Sequence, residues 1–322
     1  MGMDKQIILK RLSLIKYLCS KAIEQTYQNE IVAGFSVLYF HDCVEMFLDL
    51  VRQELNLQEE KSLMQYWTKI PALTMRGSIE RMKNARVQLK HHSQFPSKTD
   101  IEEFRITVKT FLQNNTSTFF GSYGIDYDTV SLSDLVHFAQ TKEYLKKSEE
   151  ELMKEDYYEC LKYSAYAFTT LIDEYEFGKS EYLDSIFDIG TEINRDYQKL
   201  TTSDSEGANW FKRVTETTNK MRDVLKMMSY GVDYKRYLYF KMITPQVYKY
   251  ASSKKYGVEF ECMPKEYFVK SAIMTEKTCQ DSINFVIDTA LEFQDFNFQL
   301  NEIRKGERYE FGRKNPLVHA DN

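Results

Sequence analysis

The sequence predicts an all-α protein in two helical-bundle halves, residues 1–135 and 136–322. Apolar residues recur at spacings of three and four over long stretches, the signature of amphipathic helices. Only 12 glycines and 5 prolines interrupt 322 residues, and these are the residues that break helices. Hydrophobic residues make up 43% and charged residues 28%, the balance of a chain with a real core. The length suits about two domains at ~150 residues each. Aromatic residues reach 14%, enough for a bulky core and some exposed apolar surface.

Taken in order, residues 8–28 and 30–55 read as two amphipathic helices. In the second, Ile31, Phe35, Leu38, Met46 and Leu50 define an apolar stripe. Asp42 falls on that stripe, so its carboxylate sits at a helix edge or against a buried partner. Residues 56–72 form a polar connector with one apolar patch, Leu63 to Trp67, stopped by Pro71. A helix then runs from about Gly77 to His92, ended by Ser93, Pro96 and Ser97. Thr99-Asp100-Ile101-Glu102 has the spacing of a capping box and opens a helix to about Leu112. Asn114 to Tyr127 reads as a loop rich in Asn, Gly, Ser and Thr.

The second half resumes the helical pattern near Ser133. Asp156 caps a long helix through Tyr175, with Leu161, Ala165, Phe168, Ile172 and Tyr175 on its apolar face. A further helix follows Ser180. Thr201 to Gly207 is a polar break, and a basic helix covers about 208–229. Pro245 and Pro264 bound an aromatic-rich stretch. Ser271 to Phe298 forms the last long helix, and the tail after Asn301 is loosely ordered. Gly124-Ile125-Asp126-Tyr127 and Gly231-Val232-Asp233-Tyr234 echo each other, which suggests two similar halves.

Several function classes are disfavoured. A net charge of −5 argues against a surface coated in positive charge for bulk DNA binding. Five cysteines, at 19, 43, 160, 262 and 279, form no CxxC pair and read as buried, reduced thiols of a cytoplasmic protein. No stretch approaches the ~20 apolar residues of a membrane span, and no secretory leader is evident. Gln6 breaks the myristoylation pattern. Phosphate-loop, dinucleotide, nucleophile-elbow and HExxH motifs are missing.

Residues 76–92, RGSIERMKNARVQLKHH, carry the chemistry. Arg76, Arg81, Lys83, Arg86, Lys90, His91 and His92 share this segment with one acid, Glu80. Such a cationic patch attracts phosphates, with Arg81, Lys83 and Lys90 as candidate RNA-binding residues. At about 100° per residue, His91 lies ~140° around the helix from Arg86. The two converge only where the helix frays or across a dimer axis. A histidine that deprotonates a 2′-hydroxyl and an arginine that steadies charge on phosphate suffice for RNA cleavage. No metal or other cofactor is required.

The segment Arg86-Val-Gln-Leu-Lys-His91 resembles the R-x4–6-H motif of the HEPN superfamily, as does Arg86 to His92. The setting is similar as well: paired N-terminal helices, the second carrying His41-Asp42-x-x-Glu45, then the motif on a later helix. The resemblance covers about residues 8–115. It implies a small helical bundle that forms a homodimer. Many such proteins are metal-independent RNases of toxin–antitoxin and phage-defence systems, with RNA and antitoxin or defence proteins as partners and no membrane. Others only bind nucleotides or partner proteins. By position, Arg86 and His91 are the catalytic pair, His92 is an alternate, and Asp42 or Glu45 orients them. Val87 departs from the family, whose active members carry a polar residue directly after the arginine. The second half fits a degenerate bundle of the same kind, since Arg222 has no histidine at the right distance.

Plainer readings stand beside these. Arg86 and His91 can belong to a solvated basic face. Asp42 and Glu45 can be a buried polar pair or helix-edge charges, and His41 a satisfied structural histidine. His41, Asp42 and Glu45 also suggest a metal site, and Asp42 and Glu45 share a face, but a di-metal carboxylate bundle needs a second HxxE-like element nearby. Lys212, Arg213, Lys220, Arg222 and Lys226 form a solvated face or extend an RNA groove. The alternative function is a non-catalytic helical module that binds RNA or protein, with the aromatic second half as its surface.

Overall fold

The computed structural model describes residues 2–177, 205–251, 258–268 and 274–314. The helix expected after Ser180 lies outside them, as does most of the Thr201–Gly207 break. The described residues are overwhelmingly helical, with a single pair of short strands. The chain divides into two compact units, Met1–Leu135 and Val136–Asn322.

In the first unit, α1 (Lys5–Thr26) and α2 (Glu30–Glu54) form a helical hairpin. Asp4 and Asn29 start them, each accepting a bond from a backbone N–H of the first turn, Gln6 N at 2.7 Å and Val32 N at 3.1 Å. These contacts satisfy N–H groups that a helix start leaves unpaired. The stripe of α2 is not the one expected from the sequence. Ile31 is 63% and Phe35 41% exposed, whereas Val37, Phe40, Val44, Leu48 and Val51 are fully buried. Apolar residues of α2 fall on more than one face between Ala33 and Val51, so spacing alone did not choose the buried one. Asp42 accordingly sits at the helix edge. Among the described helices α2 alone is long and apolar enough to cross a membrane, and more than half of that stretch is buried in the protein.

A short helix α3 (Tyr66–Lys69) leads into α4 (Arg76–His92) and α5 (Lys98–Phe120). The capping box of α5 is formed by Ser97 and Asp100 rather than Thr99 and Glu102. Ser97 Oγ accepts from Asp100 N at 3.2 Å, and Asp100 Oδ2 accepts from Ser97 N at 3.2 Å. Both pairs have the required spacing, and the one that forms is the earlier; Glu102 pairs with Arg105 instead. The helix also runs through the expected loop. Asn115 is fully buried, and its amide donates to Thr74 Oγ1 at 2.9 Å and to the Phe111 carbonyl at 2.7 Å. Tertiary bonding thus overrides the local loop preference of the Asn/Ser/Thr run.

In the second unit, α6 (Ala139–Met153) and α7 (Tyr157–Phe177) pair side by side. Asp156 Oδ1 accepts from Glu159 N at 3.3 Å, and Leu161, Ala165, Phe168, Ile172 and Tyr175 are buried, as their spacing predicts. The basic helix α8 spans Ser205–Ser229 and α9 spans Tyr234–Ile243. Between the two prolines the chain forms an antiparallel hairpin, β1 (Val247–Ala251) with β2 (Val258–Cys262), in the register Val247 opposite Cys262. The final helix, α10, covers Glu276–Lys314, past the expected end at Phe298. Phe168, Phe240 and Phe285 meet at centroid distances of 4.8 to 5.3 Å.

The two echoed tetrapeptides share one local job. Gly124 (φ 68°) and Gly231 (φ 76°) both adopt the left-handed conformation that ends a helical segment, followed by buried Ile125 and Val232. Glycine reaches this conformation without the steric cost of a Cβ. Cys19, Cys43, Cys160 and Cys279 are buried thiols, and Cys262 is half-buried.

Candidate functional site

Ile79, Met82 and Leu89 form the buried stripe of helix α4, which packs against both α2 and α5. Arg86 lies four residues after Met82 and three before Leu89, so it continues that stripe toward α2. Its Nε is buried and makes no hydrogen bond. Opposite it, α2 presents His41, Asp42 and Glu45. His41 is 2% exposed. Its Nδ1 stands 3.4 Å from Glu45 Oε2 and 3.9 Å from Asp42 Oδ1, yet makes no hydrogen bond. The imidazole is therefore buried but not satisfied. The Asp42 and Glu45 side chains are half-exposed.

The electrostatics tie the two helices together. Burial lowers the His41 pKa to about 4, and the positive charges of Arg86, Lys83 and Lys90 push it in the same direction. At neutral pH His41 is uncharged. Burial raises the Asp42 carboxyl above its usual range, opposed by Arg86 and Lys90. Glu45 is raised by burial and by Asp42, again opposed by Arg86 and Lys90. Perturbed titratable groups gathered in one place mark candidate functional sites.

The expected histidines lie elsewhere on the same helix. His91 and His92 are exposed in the last turn of α4, well off the stripe that holds Arg86. Lys83 is half-buried and Lys90 exposed. Arg81 is engaged with α5, paired with Glu103 and, at 3.4 Å, with Asp100. On α8, Lys212, Arg213 and Lys220 are exposed, whereas Arg222 and Lys226 are half-buried and paired with Asp223 and Glu176.

Sequence reasoning missed what fixes the end of α4. Ser93 closes the helix in a left-handed conformation (φ 54°), its N–H donating to Leu89 O at 3.1 Å. Phe95 then folds back onto α2. Its ring meets Phe35 edge-on at 5.4 Å and lies over Gly34, where a Cβ would collide with the ring. A glycine inside a helical run is a recognisable signal of close packing, although it does not name the partner.

The second unit holds a cavity of about 530 Å³ lined by Lys241, Gln246, Met263, Tyr267 and neighbours. Among the described residues its lining has one cation and no carboxylate or imidazole, so the α2–α4 seam is the stronger candidate. No family model matches the chain, nor does any curated protein or solved structure.

Proposed function

We propose that the first unit is a metal-independent endoribonuclease of the HEPN type that works as a homodimer in the cytoplasm, in defence or growth arrest. The observation that carries this reading is the layout of α4. One helix holds a guanidinium against α2 and two accessible imidazoles less than two turns further on, with Lys83 and Lys90 between or beside them. Lysines and arginine draw in the phosphodiester backbone. His91 takes the proton of a 2′-hydroxyl, whose oxygen attacks phosphorus. The bond from phosphorus to the 5′-oxygen breaks, and protonated His92 delivers a proton to that leaving oxygen. Arg86 stabilises the charge that builds on the phosphate. The products are a 2′,3′-cyclic phosphate and a 5′-hydroxyl. Because Arg86 and His91 diverge around one helix by ~140°, a second copy brings its own pair to complete the groove.

The test is RNA incubated with the full chain in excess chelator. Wild type is expected to produce cyclic-phosphate ends. Arg86→Ala and the double variant His91→Ala/His92→Ala are expected to lose about 100-fold or more. RNA left equally intact by all three proteins overturns the proposal. A second reading, a non-catalytic interaction module, is favoured by α8, where Trp210 is 67%, Met221 61% and Met228 59% exposed. It predicts partner capture that survives the Arg86 and histidine substitutions.

A further inference from the structure

Buried polar nitrogens without a hydrogen-bond partner are rare in folded proteins. His41 Nδ1 is one of them, and it points between two carboxylates. We propose that His41, Glu45 and Asp42 form a binding site for a divalent first-row transition ion of the zinc class. The site goes beyond the nuclease reading and does not depend on it.

The geometry supports the assignment. Zinc binds imidazole nitrogen and carboxylate oxygen at about 2.0–2.1 Å, which makes the edge of its tetrahedron about 3.4 Å. The His41 Nδ1 to Glu45 Oε2 separation is 3.4 Å, and the distance to Asp42 Oδ1 is 3.9 Å. All three donor atoms lie within 4.8 Å of one another. Small side-chain rotations of the half-exposed carboxylates close the remaining gap. His41 and Glu45 are four residues apart on α2, so they face the same way. Three protein donors at a partly open surface leave a fourth position for water or another ligand. Calcium and magnesium favour all-oxygen sites, so the imidazole selects for a transition ion.

Arg86, Lys83 and Lys90 face the same groups from α4. Their charge opposes a cation, which sets the expected affinity near micromolar rather than nanomolar. It also gives the site a signature: removing the Arg86 charge tightens metal binding, whereas adventitious binding at the exposed His91–His92 pair would not need His41.

The experiment uses the full chain, stripped with chelator and titrated with zinc chloride by calorimetry. Cobalt absorption reports the coordination geometry. One ion per chain is expected, with a Kd of about micromolar order. Glu45→Gln, which alters a half-exposed side chain, and His41→Ala are each expected to weaken binding at least about tenfold. Arg86→Gln is expected to strengthen it, and the His91→Ala/His92→Ala protein to bind as wild type. Wild-type affinity in Glu45→Gln, loss of binding in the double-histidine variant, or no saturable binding at all overturns the site. RNA cleavage in chelator is scored separately, so either proposal can fail without the other.

Discussion

The buried, neutral state of His41 makes stability fall with acid in a defined window. Its pKa drops from 6.5 to about 4 on folding. Between those values the unfolded chain binds a proton that the folded protein refuses. The contribution is therefore complete above pH 6.5, declines as pH falls, and is gone below about pH 4. At 1.36 kcal/mol for each pH unit, the difference amounts to about 3 kcal/mol. Asp42 and Glu45 act with the opposite sign: folding raises their pKa, so their protonation relieves a cost as the pH falls. The test window, pH 6.5 to about 5, follows from the two His41 values, and protonation of the carboxylates opposes the effect within or below it. Urea unfolding at fixed ionic strength, compared between wild type and His41→Gln, isolates the effect because other groups cancel in the difference. Trp67, 6% exposed in the first unit, is the fluorescent probe, and the exposed Trp210 is replaced by Phe in both proteins. Wild type is expected to lose about 1–2 kcal/mol more than the variant between pH 6.5 and 5. Equal slopes would refute the placement of His41 in a dry site beside Arg86.

Two more outcomes probe the same seam. Gly34→Ala is expected to destabilise the first unit by about 1–2 kcal/mol through collision with Phe95; in a Phe95→Ala background the same change is expected to stabilise, by up to ~1 kcal/mol, because alanine favours helix over glycine. Urea midpoints of the four proteins read the change of sign. Arg86→Met retains the length of the side chain while removing a buried nitrogen that makes no hydrogen bond. It is expected to cost no more than ~1 kcal/mol in stability, whereas a loss above ~3 kcal/mol would identify Arg86 as a structural residue.

Much of the fold was legible because helical periodicity is a local property. The apolar face of α7 and its Asp156 start were read directly from spacing. The choice of Ser97 and Asp100 over Thr99 and Glu102 was a local one, but the larger failures share one cause, which is information held by distant residues. In α2 almost every turn carries apolar side chains on more than one side, so only the neighbouring helices decide that Val37 and Val44 go inward and Ile31 outward. In α5, Asn115 looks like a loop residue until Thr74 accepts its amide hydrogen. The hairpin of β1 and β2 lay in a stretch marked only by aromatics and prolines. For the site, the family resemblance set Asp42 or Glu45 beside Arg86 and His91, whereas His41 read as a satisfied structural histidine; in the structure Arg86 acts on His41, Asp42 and Glu45, and the His41 Nδ1 is unsatisfied. Their meeting depends on α4 presenting residue 86 on the stripe of Met82 and Leu89.

Helices α2 and α4 break several local rules. A glycine sits within a helix at residue 34, an imidazole is buried without a hydrogen bond at residue 41, and a guanidinium takes an apolar position at residue 86. Each is unfavourable alone: glycine weakens a helix by about 1 kcal/mol, and an unpaired buried polar atom costs about 1–3 kcal/mol. A chain selected only for stability would place alanine, leucine and methionine there. Ser36 Oγ and Thr116 Oγ1, buried in the same unit, also make no hydrogen bond, but they are neutral hydroxyls in a core that is otherwise closely apolar. What distinguishes the α2–α4 contact is that an imidazole and a guanidinium, both ionisable and both with a buried nitrogen that makes no hydrogen bond, lie close enough for the charge of Arg86 to act on His41. Local conflicts concentrate where function demands groups that the fold would otherwise reject. The penalty falls on charge and hydrogen bonding, the currency in which phosphates and metal ions are recognised, and this directs experiment to the contact of α2 with α4 before any other surface of the protein.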